Sequence, residues 1–277
     1  MHVRPVVAAI WLLAIGLPAA PRVSSAQRSL APATASGQTG NPVYEGWYRN
    51  PDGTYSLSFG YYNRNEAEIL SVPVGPDNFF APGDSNRGQP TWLYPRRHWG
   101  VFAVTVPADF GEGRVVWTVK IRGKTFAIPA TLHRDWQIDA LEGEAGSDNT
   151  PPEIRLDAQG PVARGPGGFT TETRTATVGK PISISVIIKD DGRSTGIIKG
   201  GVPSSVAWFT HQGPSQAVFG TPTAKLTPTG GTTSTTATFD RPGDYIVRVR
   251  ANDSAVSTAG HSQCCWSNAF VKVRVTP

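Results

Sequence analysis

The stretch TATFDRPGDYIVRVRANDS, residues 236–254, sets two alternating runs on either side of a turn containing Asp240, Pro242 and Gly243. Apolar residues recurring at spacing two describe strands with one buried face, and Pro and Gly between them mark a chain reversal. The first run reads as the strand Ser234–Phe239 and the second as Tyr245–Ala251. Working outward, the same pattern predicts strands at Glu153–Asp157, Arg174–Val178, Ile182–Lys189, Val206–His211, Ala217–Leu226 and Ala269–Thr276, each bounded by Gly, Pro or polar residues.

That many short strands in one half of the chain predict an immunoglobulin-like Greek-key sandwich. The segment DNTPPEI, residues 148–154, resembles the openings of tandem bacterial immunoglobulin-like modules, and residues 236–254 resemble the closing half of PKD and cadherin-like repeats. The resemblance covers roughly residues 149–277. It implies that Asp240, Gly243 and Tyr245 form a corner in which the tyrosine hydroxyl returns to the backbone. VAWFTHQG, residues 206–213, stands where PKD strands carry a tryptophan-aspartate-phenylalanine signature. On function the resemblance is silent, because such sandwiches serve adhesion, spacing and substrate binding alike.

The preceding half holds five of the eight tryptophans and six of the seven tyrosines, between residues 41 and 141. After the turn signal Asn50-Pro51-Asp52-Gly53, Tyr55, Leu57, Phe59 and Tyr61 alternate with small residues, and further strands read at Trp99–Val106, Val115–Ile121 and Thr125–Leu132. No amphipathic helix is predicted in either half. The fold class is therefore all-β, with two β-sandwich domains after a signal peptide and flexible tether, the C-terminal domain being immunoglobulin-like.

Residues 1–26 carry an early Arg4, an apolar run from Val6 to Leu17 and small residues before Ala26, the order of a secretory signal peptide. That run is shorter than the roughly 20 residues that span a bilayer. Cleavage would lower the formal net charge from +5 to +3 by removing Arg4 and Arg22. Without a basic stripe, nucleic acid is not an expected partner, and no membrane span is expected after cleavage. The expected divisions are a tether over 27–41, the aromatic-rich sandwich over 42–141, a linker over 142–152 ending in Pro151-Pro152, and the second sandwich over 153–277. The expected location is exported: periplasmic, extracellular or associated with the cell surface.

No catalytic constellation is legible. His133-Arg134-Asp135 reads better as a polar strand end than as a catalytic fragment, so the chain is expected not to be an enzyme. Large aromatics such as Trp47, Phe59 and Trp117 are expected in the core. Tyr62 and Trp92 are candidates for an exposed binding surface, since adjacent strand residues face opposite ways and one of Tyr61 and Tyr62 must leave the core.

The only cysteines, Cys264 and Cys265, are neighbours in HSQCCWSN. In an exported chain they can close only on each other, as a vicinal disulfide; two reduced thiols, or metal ligation with His261, are the alternatives. The pair is assigned to a 17-residue loop, Asn252 to Asn268, that presents Trp266 and His261 to a ligand. A second long connection, from Asp190 to Ser204, is expected at the same end of the sandwich. Asp190, Asp191 and Asp253 are thereby candidate calcium ligands, with no other cofactor expected. The function expected from this reading is an exported, non-catalytic binding or surface-interaction protein with a protein or glycan ligand. A redox- or metal-linked accessory factor for a partner oxidoreductase and a carbohydrate-binding protein are the alternatives.

Overall fold

A computed structural model describes residues 34–142, 149–193, 203–257 and 264–277, all within one compact unit. Among the described residues the regular structure is strand throughout, except for one 3-10 turn at Arg134–Trp136. Among the described residues no helix is long and apolar enough to cross a membrane.

The first half contains β1 (Gly40–Arg49), β2 (Tyr55–Asn63), β3 (Leu70–Ser71), β4 (Asn78–Ala81), β5 (Trp92–Leu93), β6 (Arg96–Val106), β7 (Val115–Ile121) and β8 (Lys124–Ala130). Two antiparallel sheets, β1-β2-β6 and β4-β7-β8, enclose one core, with the small pair β3-β5 beside them. Leu57, Phe59 and Trp117 are completely buried there. Each large side chain so buried contributes about 1.5–3 kcal/mol. Phe59 stacks on Phe102 at 5.4 Å and meets Trp117 edge-on at 5.9 Å. The Trp117 indole N–H donates to Asn78 Oδ1 at 2.9 Å, which removes the cost of burying it. At the β1–β2 turn Gly53 adopts φ 89°, a left-handed conformation that favours glycine.

The second half contains β9 (Glu153–Arg155), β10 (Phe169–Thr170), β11 (Arg174–Thr177), β12 (Ile182–Lys189), β13 (Ser205–Gln212), β14 (Val218–Phe219), β15 (Thr223–Lys225), β16 (Gly230–Thr238), β17 (Gly243–Ser257) and β18 (Cys264–Thr276). One sheet runs β14-β16-β12-β9 and the other β10-β18-β17-β13-β15, with β11 also along β18. Only β10 and β11 pair parallel, both with β18, so the chain changes sheets between β9 and β10 as in immunoglobulin-like sandwiches. Tyr245, Val247, Val249 and Ala251 of β17 point into this core. The Tyr245 hydroxyl donates to the Arg241 carbonyl at 2.9 Å, closing the corner that the sequence resemblance implied.

Three local expectations need correction. Residues 34–39, assigned to the tether, are pinned to the 64–68 segment: the Arg64 and Glu66 N–H groups donate to Thr39 and Thr34, and the Gln38 N–H donates to Asn65. The expected strand Ala217–Leu226 is broken into β14 and β15, which belong to different sheets. The third correction is the largest: β17 continues to Ser257 and β18 begins at Cys264, so Cys264 through Asn268 lie in a strand and not in a loop.

The reason for that extension is double coverage. Every residue of β18 from Cys264 to Val271 is buried, because one face packs in the second core and the other meets the first half. Phe270 and Ile246, from the outer face of β17 and β18, join the core of the first sandwich.

Candidate functional site

The two halves meet through a polar seam. Trp266 Nε1 and Asn268 Nδ2 both donate to the Gly100 carbonyl, at 3.1 and 2.8 Å, and Asn268 also reaches Pro166 O at 2.8 Å. Gly100 has φ 45°, and a Cβ there would overlap the Trp266 indole, so this contact requires glycine. Further along, the Thr91 N–H donates to His211 O at 2.8 Å, and the Gly167 N–H donates to Tyr48 Oη at 2.9 Å.

Two histidines are enclosed by this contact. His211 is 2 % exposed, with Nε2 at 2.6 Å from Gly88 O. Burial, and secondarily the Arg248 charge, lowers its pKa to about 3. His98 is likewise lowered to about 3 by burial, then by Arg248 and Arg250. Both rings are neutral near pH 7 and act as structural polar groups.

At one end of the seam lies a cleft of about 650 Å³. Tyr48, Asn50, Asp52 and Ser56 line it from the first half, and Val162, Arg164 and Gly167 from the second. Val162 is 46 % exposed, an apolar surface among polar groups. Asp52 is held in place by Thr54, whose side-chain and backbone donors lower its pKa. Arg164 pairs with Glu153 at 2.9 Å. The cleft thus combines an apolar patch, an acceptor and a cation paired to Glu153, within the volume range of ligand sites.

The residues singled out from sequence are dispersed. Trp266 is 2 % exposed and turned into the seam, so it is not the presented indole that was expected; its N–H is committed to Gly100. Cys264 and Cys265 are bonded to each other as a vicinal disulfide, and both are completely buried. Asn149 O lies 3.3 Å from Cys265 Sγ and 3.6 Å from Cys264 Sγ. His261 lies outside the described residues. Trp92 is partly exposed and bridges the halves, its indole N–H donating to Gly213 O at 3.1 Å. Tyr62 does face away from the core, but its ring has the Arg64 and Arg96 guanidinium groups at 5.8 and 6.0 Å.

Asp190 sits close enough to the buried Asp253 for their charges to interact; burial first, then Asp253 and Asp191, raises its pKa to about 6. Asp191 accepts the Arg193 N–H at 2.8 Å. Among the described residues no group of three or more His, Cys, Asp or Glu side chains converges to hold a metal ion. His133 caps the 3-10 turn, accepting the Asp135 N–H at 3.4 Å from an exposed position. Sequence reasoning missed the seam cleft and the exposed Trp136, 49 % accessible beside Tyr44.

No family model and no curated protein matches the chain. Among solved structures, domains 4 and 5 of the S-layer protein SbsC are similar at 11 % identity over 64 % of this chain and 71 % of that one, with a TM-score of 0.27. The D0-D1 domain of intimin is similar at 15 % identity over 86 % and 98 %, with a TM-score of 0.26. The PapD-like domain 7 of human CEP192 is similar at 12 % identity over 46 % and 87 %, with a TM-score of 0.25. No functional property is carried over from any of them. The chain's own strand order makes it all-β, its C-terminal half an immunoglobulin-like sandwich.

Proposed function

We propose that this chain is an exported, non-catalytic binding protein that holds a protein or glycan ligand in the seam cleft between its two sandwiches. The observation that supports this reading is the cleft's composition: Val162 stays exposed in a cleft that Asp52 and Arg164 also line, and the walls come from both halves. The signal-like residues 1–26 support export to a periplasmic, extracellular or surface location. The loop end of the C-terminal sandwich, where the sequence put the contact surface, loses its aromatic centre because Trp266 is buried. The redox reading loses support for a similar reason, since neither sulfur is exposed to a partner.

Binding to glycan and peptide arrays tests the proposal. Thr105, exposed on β6, also lines the cleft, so Thr105→Trp should fill it without disturbing a core. Loss of the array signal in a variant that melts like the parent is the expected result. A signal unchanged by the substitution would place the ligand elsewhere.

A further inference from the structure

Arg248, on the outer face of β17, is 2 % exposed, yet its Nε and Nη2 atoms have no hydrogen-bond partner among the described residues. Arg250 shares that face and also carries a buried Nε without a partner among the described residues. The two guanidinium carbons lie 4.9 and 5.5 Å from the ring centre of Phe209 on the adjacent β13. The groups that interact electrostatically with Arg248 are Arg250, Tyr61, Tyr94, His98 and His211, and those with Arg250 include Arg248, Tyr61 and His98; no carboxylate is among these.

Two cations held together away from water, with no anion among the described residues to offset them, are costly. Stacking on Phe209 recovers only part of that cost. Burial, and next the charge of Arg250, lowers the Arg248 pKa to about 9. Around the pair the spare polar capacity is mainly that of donors, on the two guanidinium groups and Tyr61. Tyr61 Oη accepts the Tyr94 N–H at 2.9 Å, while its own proton has no recorded acceptor among the described residues. His98, 5.9 Å from Phe209 and stacked on Tyr61 at 4.9 Å, donates from Nε2 to the Pro95 carbonyl at 3.1 Å, so the Nδ1 of its neutral ring, buried and without a partner among the described residues, is an acceptor and adds no donor to the site. Arg250, Tyr94, His98 and Phe209 are each partly exposed, so the cluster reaches solvent on that side, with Arg248 beneath.

We propose that Arg248 and Arg250 bind a small oxyanion group, a carboxylate, sulfate or phosphate, at the junction of β6, β13 and β17. Guanidinium groups suit this chemistry because their planar N–H forks meet two oxygens at once. The site is separate from the seam cleft: it adjoins the Tyr61–His98 end of the β2–β6 pair, whereas the cleft adjoins the Ser56–Thr105 end. The oxyanion site does not depend on the ligand proposed for the cleft.

The test is the melting temperature of the full chain, titrated with sulfate, phosphate or acetate in the low millimolar range, with sodium chloride holding ionic strength constant. A saturable rise with at least one oxyanion is expected. In Arg248→Met that rise should vanish, while the variant in chloride alone melts at or above the parent, because an uncompensated buried charge has gone. Arg250→Gln should weaken apparent anion affinity by about tenfold, the effect of roughly one charge-assisted hydrogen bond. A sulfated oligosaccharide that binds more tightly than inorganic sulfate marks a glycan-borne group, and equal binding marks the free ion; both support the site. A rise that never saturates and persists in Arg248→Met is a general salt effect and overturns the proposal. Arg248→Met melting far below the parent in chloride would overturn it too, by showing that the charge serves the fold itself.

Discussion

The Asn268 side chain, on the last strand, donates to the Gly100 carbonyl on β6 at 2.8 Å, across 168 positions of sequence. Its amide also reaches Pro166 O at 2.8 Å, so one buried side chain ties three segments together. Asn268→Leu keeps the volume and removes the donors, leaving Pro166 O without that partner. A loss of about 1–3 kcal/mol in urea unfolding is expected. A loss below about 0.5 kcal/mol would show that the seam does not depend on this residue.

Complete burial of Cys264 and Cys265 predicts how they react. Native protein should take up no alkyl group, with or without a mild reductant. Denatured protein should take up none until reductant is added, and then two. Alkylation of denatured, unreduced protein would mean that the sulfurs are free thiols.

Acid should destabilise the protein through His98 and His211. Each has a folded pKa of about 3 against 6.5 for the unfolded group, so between those values the unfolded state binds more protons. Stability is then fully present above about pH 6.5 and falls as pH drops toward 3, by about 1.4 kcal/mol per pH unit for each histidine. Asp190 works the other way over a narrower range. Its pKa, raised to about 6 from 3.8, favours the folded state at low pH and costs stability as pH rises through that window. The urea midpoint measured from pH 8 to pH 4 should fall, with a shallower slope in His211→Gln, whose amide can still donate to Gly88 O. A slope identical to the parent's would assign the acid sensitivity to other groups.

Residues 149–277 expressed alone should not behave as the intact chain does. Separation uncovers Trp266, Phe270 and the Arg248–Arg250 face at once. The fragment is expected to self-associate or to lose cooperative melting, as seen by light scattering and calorimetry. A monomeric fragment with a sharp transition would show instead that the second sandwich is independent of the seam.

Much of the strand pattern was legible because one-sided burial leaves a period of two. Val115–Ile121 and Ile182–Lys189 were predicted with the bounds observed. Where both faces are covered the signal vanishes: Cys264 to Asn268 mix sulfur, indole, hydroxyl and amide, all buried, and were read as a loop. β1 was missed for a related reason, since Glu45 to Tyr48 are buried in succession. Arg248 and Arg250 were visible as alternating polar residues, but alternation reports only which face they share. That the face is covered by another sandwich follows from tertiary docking alone, and the seam cleft was invisible for the same reason.

Phe270 completes the hydrophobic core of a sandwich whose own strands end at Ala130. Contacts between such distant positions raise the contact order, and chains dominated by them fold in milliseconds to seconds rather than microseconds. The N-terminal sandwich therefore cannot finish folding during synthesis until almost the whole chain has emerged. The leading half thus receives its last core side chain only after the final strand of the trailing half has been made.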